Sequence, residues 1–435
     1  MKKFISLLLV LLPLIIFGQN IKDINNYIPE LVKTYKYLHQ NPELSFLETN
    51  TANFLAEKMK SLGFEVTEHF GGTGIVAIMK NGNGPKVLIR TDMDALPILE
   101  KTGVDFASTK KQIDIEGVER PVMHACGHDI HMSVWLGTAK YLSEHKNEWS
   151  GTIMMIGQPA EERGGGSDAM LKAGLYSKFF VPDYALAFHV NSGLPTGKIS
   201  YCPGFAMANV DMAQITFTGR GGHGAYPQKT IDPIVMTAQY ITDIQNIVSR
   251  EISPTDPAVI TVGSIHGGTK GNIIPTEVNL EFTIRSYKDE VRDHLLSALQ
   301  RKANAVALSF GVPKENYPVL KIKDTYTPAL YNNPQLVNRI VKGFEKIFGK
   351  ENVIKADPVM GGEDFGRYGK TKEKVPVFMY FLGIVNKEKY EKYKTENKTL
   401  PSLHSDKMIP DPAPSIKNGI LAMVNAVTNL MNTGN

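Results

Sequence analysis

The chain is short of cysteine, of net charge and of apolar runs long enough to span a membrane, and each shortage removes a class of protein. Two cysteines, Cys126 and Cys202, in 435 residues cannot staple a scaffold, so the fold has to rest on buried apolar side chains. A single Cys126–Cys202 bridge would also take Cys126 out of use as a thiolate ligand. The formal charge of +4 is too small for an electrostatic footprint on nucleic acid, and no long basic stripe concentrates it. The segment NKEKYEKYKTENK, 386–398, carries both signs and reads as a solvated helix or loop. No internal repeat or low-complexity tract is present. What remains is ordinary globular composition, 42% hydrophobic and 21% charged, in a chain long enough for two or more domains.

The one long apolar run is at the start. Lys2 and Lys3 precede an uncharged stretch from Leu7 to Phe17, broken by Pro13 and followed by Gly18 and Gln19. That is the layout of a cleavable signal peptide over 1–19, and it is shorter than the roughly 20 apolar residues of a spanning helix. An uncleaved anchor is the other reading of the same run. No cysteine follows it, which argues against lipoprotein processing. The expectation is an exported protein, periplasmic or secreted, with no stable membrane anchor after processing. Without Lys2 and Lys3 its charge would fall from +4 to +2.

Further along, two periodicities alternate. Residues 23–41 and 48–62 space their apolar positions for helices, the second stopping at Gly63. TGIVAIM (73–79), KVLIRTDMDALP (86–97), GTIMMIG (151–157) and YALAFHV (184–190) read as strands, the last three apolar enough to be buried on both faces. Helical stretches at 129–146 and 167–174 separate them. This is an α/β pattern: a mostly parallel sheet covered by helices on both faces, with chemistry collecting at the carboxyl ends of its strands. Asp92, Asp94, Glu161, Glu162 and His189 all fall at or just after such ends. From about 209 the pattern becomes strand, helix (233–250), strand, strand, helix (288–309), strand. That is a ferredoxin-like β-α-β-β-α-β unit, set between a catalytic domain's first part, 20–208, and its second, 326–435. The inserted domain spans 209–325, and helices near 334–348 and 414–431 follow it.

The densest chemistry is VMHACGHDIH, 122–131. Cys126 and His128, two apart, would face one ion if the loop is extended, and a thiolate with an imidazole suits Zn²⁺, with Mn²⁺, Co²⁺ or Ni²⁺ also open. Such a pair is a weak signal alone. GQPAEERGGG (157–166) adds adjacent carboxylates between a proline and a glycine run. Elsewhere a Glu-Glu pair is usually a solvated helix face, but here the flanks argue for a shaped loop. His189 at a strand end and His404 in the Pro-bounded LPSLHSDKMIP would each be unremarkable without the others.

Taken in order, RTDMDALP, MHACGHDIH, GQPAEERGGG, FHV, GRGGHGAYP, GTKGNIIP, GGEDF and LHS resemble the amidohydrolase branch of the aminoacylase-type metallopeptidases. That branch includes hippurate hydrolases, N-acyl-amino-acid amidohydrolases and hydrolases of auxin conjugates. The resemblance implies a di-metal exopeptidase-like catalytic domain with an inserted lid or dimerisation domain. It implies two divalent ions per subunit, zinc or manganese first and cobalt or nickel as alternatives, with Cys126 bridging and His128, Glu162, His189 and His404 completing the ligands. Glu161 would be the general base and Asp94 the carboxylate that orients a ligand. His223 would stabilise the oxyanion from its own or a neighbouring subunit. Asn272 and Arg285 are candidates to hold the substrate carboxylate, the arginine in a bidentate fork, although an arginine on a strand is equally read as a surface ion pair. Asp92 stands where other branches have a histidine ligand, and its role stays open, as do those of His124 and His131. The implied substrate is an N-acyl or N-aroyl amino acid cleaved to a carboxylic acid and a free amino acid. Two alternatives stand beside it: a dipeptidase or carboxypeptidase of the same superfamily, and an exported metal-binding or ligand-binding protein without activity. A homodimer formed through the inserted domain is the implied assembly.

Overall fold

Apolar runs become the middle of one sheet. In the computed structural model residues 23–323 and 326–431 are described; the signal peptide expected at 1–19 lies outside them. Eight strands hydrogen-bond in the order Glu65–Thr67, Ile75–Asn81, Gly151–Gln158, Lys86–Asp92, Tyr184–Pro195, Val377–Val385, Ile199–Tyr201 and Val353–Lys355. The four in the centre run parallel to one another, and antiparallel pairings flank them. The strand Lys86–Asp92 is buried from Val87 onward. Val87 and Ile89 face one side and Leu88 the other, and all three are at most 1% exposed, so both faces of the sheet are covered.

Helices 23–40, Thr49–Ser61, His128–Glu144, Pro334–Phe348 and Pro412–Met431 fall within a residue or two of the stretches that periodicity marks out. His128–Glu144 is buried along almost its whole length, with Trp135 donating from its indole to the Ile89 carbonyl. Asn333 caps Pro334–Phe348 by accepting from the Leu336 N–H, and Pro334 at the first helical position has no N–H left unsatisfied.

Three features depart from expectation. The strand foreseen at 73–79 is Ile75–Asn81, since Thr73 and Gly74 belong to the preceding turn. Tyr184–Pro195 continues past His189, so that histidine lies inside a strand. The last strand expected in the β-α-β-β-α-β unit is only Lys321–Ile322 among the described residues.

By internal contacts the chain divides into two units, Met1–Gly204 with Tyr331–Asp357 and Phe365–Asn435, and Phe205–Leu330 with Pro358–Asp364. The second unit contains strands Asn209–Thr218, Ala258–Gly267, Glu277–Ser286 and Lys321–Ile322, in the spatial order second, third, first, fourth, all antiparallel. Helices Pro233–Arg250 and Asp289–Ser309 share its core with Phe217, Tyr240 and Phe282. Asn209–Thr218 buries alternate residues, as a half-covered sheet requires. Pro358–Asp364 joins this unit because Met207 bridges Val359 and the Ala208 N–H donates to the Gly361 carbonyl.

Candidate metal centre

Parallel pairing in register sets Asp92 opposite Gln158, so the loops that follow these two strands leave from the same end of the sheet. One loop carries Asp94 and the other carries Glu161 and Glu162. Cys126 and His128 meet them from the start of the helix His128–Glu144. The expected extended loop is not how those two converge. Gly127 has φ +84° and turns the chain sharply into the helix, with His128 its first residue. A Cβ at Gly127 would lie 2.7 Å from Val190 Cγ2, so both its backbone angle and its packing demand glycine.

Three overlapping groups of ligand-type atoms lie within 4.8 Å of one another: Cys126, His128 and His189; Cys126, Glu162 and His404; His128, Glu161 and Glu162. The structure therefore brings together all five residues marked as ligands and the carboxylate marked as base. Cys126 Sγ is 3.4 Å from His189 Nε2, and His404 Nε2 is 3.5 Å from Glu162 Oε2. His404 departs from the rest in having a side chain 53% exposed, which places it at the mouth. Both cysteines are free thiols, so no disulfide competes for the Cys126 sulfur.

The supporting contacts were hidden from one-dimensional reading. Asp94 is expected to orient a ligand through its carboxylate, and its Oδ1 lies 3.5 Å from His128 Nδ1. Its two carboxylate oxygens also accept from the backbone N–H groups of Glu161 and Glu162, each at 3.1 Å, and its backbone carbonyl takes the His128 Nδ1 hydrogen at 2.7 Å. Ser45 donates to the same carboxylate. Glu48, fully buried, accepts from the Ala160 N–H at 2.8 Å. Ala160 has φ +49°, a left-handed conformation that costs a non-glycine residue about 1 kcal/mol or more and persists only when its surroundings hold it. Gly166 closes the loop, since a Cβ there would fall 1.5 Å from the Pro159 carbonyl oxygen.

Asp92 and His131, left without a role, form a chain of contacts that ends beside His189. Arg90 Nη1 donates to Asp92 Oδ2 at 2.6 Å. His131 Nδ1 lies 2.6 Å from Asp92 Oδ1, and His131 Nε2 accepts from the Val190 N–H at 3.0 Å. An accepting Nε2 carries no proton, so Nδ1–H must donate to Asp92. Burial, against the opposing pull of Asp92, brings His131 down to a pKa of about 3; it is a neutral strut. His124 is buried without a hydrogen-bond partner on either ring nitrogen, and burial lowers its pKa to about 4.

The centre has a surplus of negative charge. Burial alone would depress His128, but Asp92, Asp94 and Glu162 outweigh it and raise the imidazole to about 10. Burial lifts Glu162 to about 7, against His128 and with Asp94. Cys126 is pushed well above the usual thiol range by burial and then by Glu162, Glu161 and Asp92. His128 Nε2 and Glu162 Oε1 are buried with no hydrogen-bond partner. Ligand-type atoms buried without a hydrogen bond in an acidic pocket are what a cation's ligand atoms look like when the protein itself does not satisfy them. A divalent ion fits this donor set of one sulfur, imidazoles and carboxylates.

The remaining candidates belong to the second unit. His223 sits on the short strand Gly222–His223, exposed, paired with Ile273–Ile274. The Gly224 N–H donates to the Asn272 carbonyl at 2.9 Å, so His223 and Asn272 share one ribbon. Arg285 lies apart on Glu277–Ser286, half-buried, donating from Nη1 to the Met360 carbonyl at 2.7 Å.

Similarity to known proteins runs through both units. Over 374 residues the chain is 37% identical to thermostable carboxypeptidase 2 of Saccharolobus solfataricus, covering 85% of this chain and 89% of that protein. It is 35% identical to hippurate hydrolase of Campylobacter jejuni, covering 81% of this chain and 90% of that protein. A solved structure from Bacillus subtilis, described as a dinuclear metal binding peptidase of the M20 family, superposes with a TM-score of 0.73 at 28% identity, covering 92% of this chain and 98% of that one. Residues 88–405 match the family described as Peptidase family M20/M25/M40, a span that takes in every ligand candidate from Cys126 to His404. The chain is accordingly an amide-bond hydrolase of that family, on its amidohydrolase branch.

Proposed function

We propose that the protein is an exported hydrolase of N-acyl or N-aroyl amino acids that works with two divalent cations held by Cys126, His128, Glu162, His189 and His404. The observation that carries this reading is that two buried ligand-type atoms, His128 Nε2 and Glu162 Oε1, face each other at 3.9 Å with no hydrogen bond to either, in a centre whose carboxylates outnumber its cations. When bound, the ions would supply the positive charge that polarises an amide carbonyl and makes water acidic enough to react near neutral pH. Glu161 Oε2, 3.9 Å from His128 Nε2, is placed to take a proton from the attacking water and return it to the departing amine nitrogen. Asp94 holds the backbone of Glu161 and Glu162 and sets where both carboxylates point. His223 is the candidate donor to the oxyanion, and Asn272 and Arg285 are candidates for the substrate carboxylate.

The hippurate hydrolase relative supports acyl-amino-acid substrates. The carboxypeptidase relatives, at 37% and 36% identity, favour a second reading, removal of an amino acid from a short peptide. Export rests on Lys2, Lys3 and the apolar stretch from Leu7 to Phe17; an intact N-terminus on protein recovered outside the cytoplasm would refute cleavage. A homodimer is supported by the edge strand Ala258–Gly267, which pairs on one side only among the described residues and exposes Ile265 by 52%. A monomer by light scattering would refute it.

The deciding experiment incubates the mature protein with Zn²⁺ or Mn²⁺ and a panel of N-acyl amino acids and dipeptides. Turnover of hippurate or acetyl-methionine is expected, with Glu161→Gln lowering kcat by about 10²–10⁴ at unchanged metal content. No turnover across the panel would sink the reading, and turnover of dipeptides alone would replace it with the second.

A further inference from the structure

Beside the metal centre, within the first unit, lies a cleft of about 290 Å³ lined by the apolar Leu44, Ala95, Leu96, Pro97 and Ile115, with Glu162 among its polar lining residues. We propose that this cleft is the acyl pocket, taking an uncharged aryl or short alkyl acyl group, and that the hairpin residue Ile115 sets its preference. The inference rests on the hydrolase reading and names the half of the substrate that the cleft receives.

The wall is built rather than incidental. Lys111–Ile113 pairs with Glu119–Pro121 as a two-stranded hairpin. Gln112 docks it onto the neighbouring loop, its Oε1 accepting from the Leu44 N–H at 2.7 Å and its Nε2 donating to the Leu47 carbonyl at 3.3 Å. Behind that, Leu44, Ala95 and Val122 form a small buried cluster. The turn is held by Asp114, whose carboxylate accepts from the Glu116 and Val118 N–H groups and from Arg120 Nε. At the tip Arg163 Nη1 donates to Glu116 Oε1 at 3.0 Å. The hairpin is therefore tied to the residue that follows Glu162, and Ile115 is presented at the cleft while remaining 55% exposed.

Charge decides which half of the substrate enters. The amino-acid half carries a carboxylate one carbon from the scissile nitrogen, and a pocket for it needs an available cation. Arg163 is the one cation on the cleft wall and is engaged by Glu116, while Asp114 and Glu162 add negative charge. The acyl half carries no charge and gains from apolar walls. Small-molecule sites run from about 300 to 1,000 Å³; this cleft sits at the lower limit, with room for one ring or a short chain and none for a peptide.

The test compares N-acetylglycine, N-hexanoylglycine and N-benzoylglycine, with N-acetylmethionine as the amino-acid-side control, on wild-type protein, Ile115→Asp and Ile115→Leu. Each methylene in such a pocket is worth about 10-fold or more in kcat/KM, so the wild type should favour the longer acyl groups at least 10-fold over acetyl. Ile115→Asp should lower the ratio of kcat/KM for the longer acyl groups over acetyl at least 10-fold, and Ile115→Leu should keep that ratio. A loss shared equally by all acyl groups, or one that follows the methionine side chain, overturns the proposal. If no amide in the series is cleaved, the hydrolase reading fails separately. Calorimetric titration with benzoate then decides the pocket: tighter binding to wild type than to Ile115→Asp supports it, and equal or absent binding overturns it.

Discussion

Two buried charged regions, one in each unit, handle their charge in opposite ways. In the second unit Asp211 is fully buried and meets Arg292 through two hydrogen bonds of 2.7 Å. The guanidinium also lies over the Tyr326 ring at 4.0 Å, and the region is complete in itself. In the first unit Asp92, Asp94, Glu161 and Glu162 crowd around His128, and two ligand-type atoms there make no hydrogen bond. A buried ion pair that closes on itself serves shape. A cluster that leaves ligand atoms without hydrogen bonds is shaped for something the chain does not carry.

Removing one partner from each region should separate these roles. Cys126→Ala takes a sulfur from the middle of the donor groups. We expect metal bound per subunit, measured by elemental analysis after dialysis, to fall by one or both ions, and hydrolysis to be lost, with the fold retained by circular dichroism. Full occupancy and activity would break the comparison from the side of the site. Arg292→Ala should do the reverse. Breaking a buried pair costs about 3–5 kcal/mol, read as a lower denaturant midpoint, while metal content per folded molecule holds.

The chain from Arg90 through Asp92 to His131 lies between these extremes, since it is complete in itself yet ends at the Val190 N–H beside His189. His131→Phe keeps the ring and deletes both hydrogen bonds. Outer partners of this kind are worth about 10–100-fold in metal affinity, and competition with a chelator would measure it. An unchanged affinity would reduce the chain to packing.

The smallest effect concerns pH. His39 lies 2.7 Å from Asp129 and 3.1 Å from Glu100. Burial opposes its charge, but the two carboxylates win and raise it from 6.5 to about 9. A raised pKa means the folded state holds the proton more tightly. The stabilisation is thus full below about pH 6.5, declines as pH rises and is gone above about 9. His39→Gln should flatten the melting temperature over that interval, and parallel wild-type and variant curves would refute the assignment.

Much of the layout was legible without coordinates because it depends on neighbours in sequence. Helical spacing marks His128–Glu144 and Pro334–Phe348, and unbroken apolar runs mark the central strands. The three-residue strands Ile199–Tyr201 and Val353–Lys355 carry no period of their own and exist because the first pairs with Val377–Val385 and the second with the first. The same division runs through the site. The motifs single out Cys126, His128, Glu161, Glu162, His189 and His404 by residue type and order. They are silent on the carboxylate of Asp94 reaching amides 67 and 68 positions away, on Glu48 bracing Ala160 across 112 positions, and on His131 facing the Val190 N–H.

By itself, then, the sequence determined which of the longer segments are helix or strand, that the core is mostly apolar, and which side chains are chemically able to hold a cation. Those are properties of composition and local period. Only the tertiary structure decided that the ligand atoms converge, that two of them are left unsatisfied, and that Asp94, Glu48 and His131 turn backbone groups into supports. Convergence depends on strand register and on a left-handed turn at Gly127, and neither leaves a trace in any short stretch of residues.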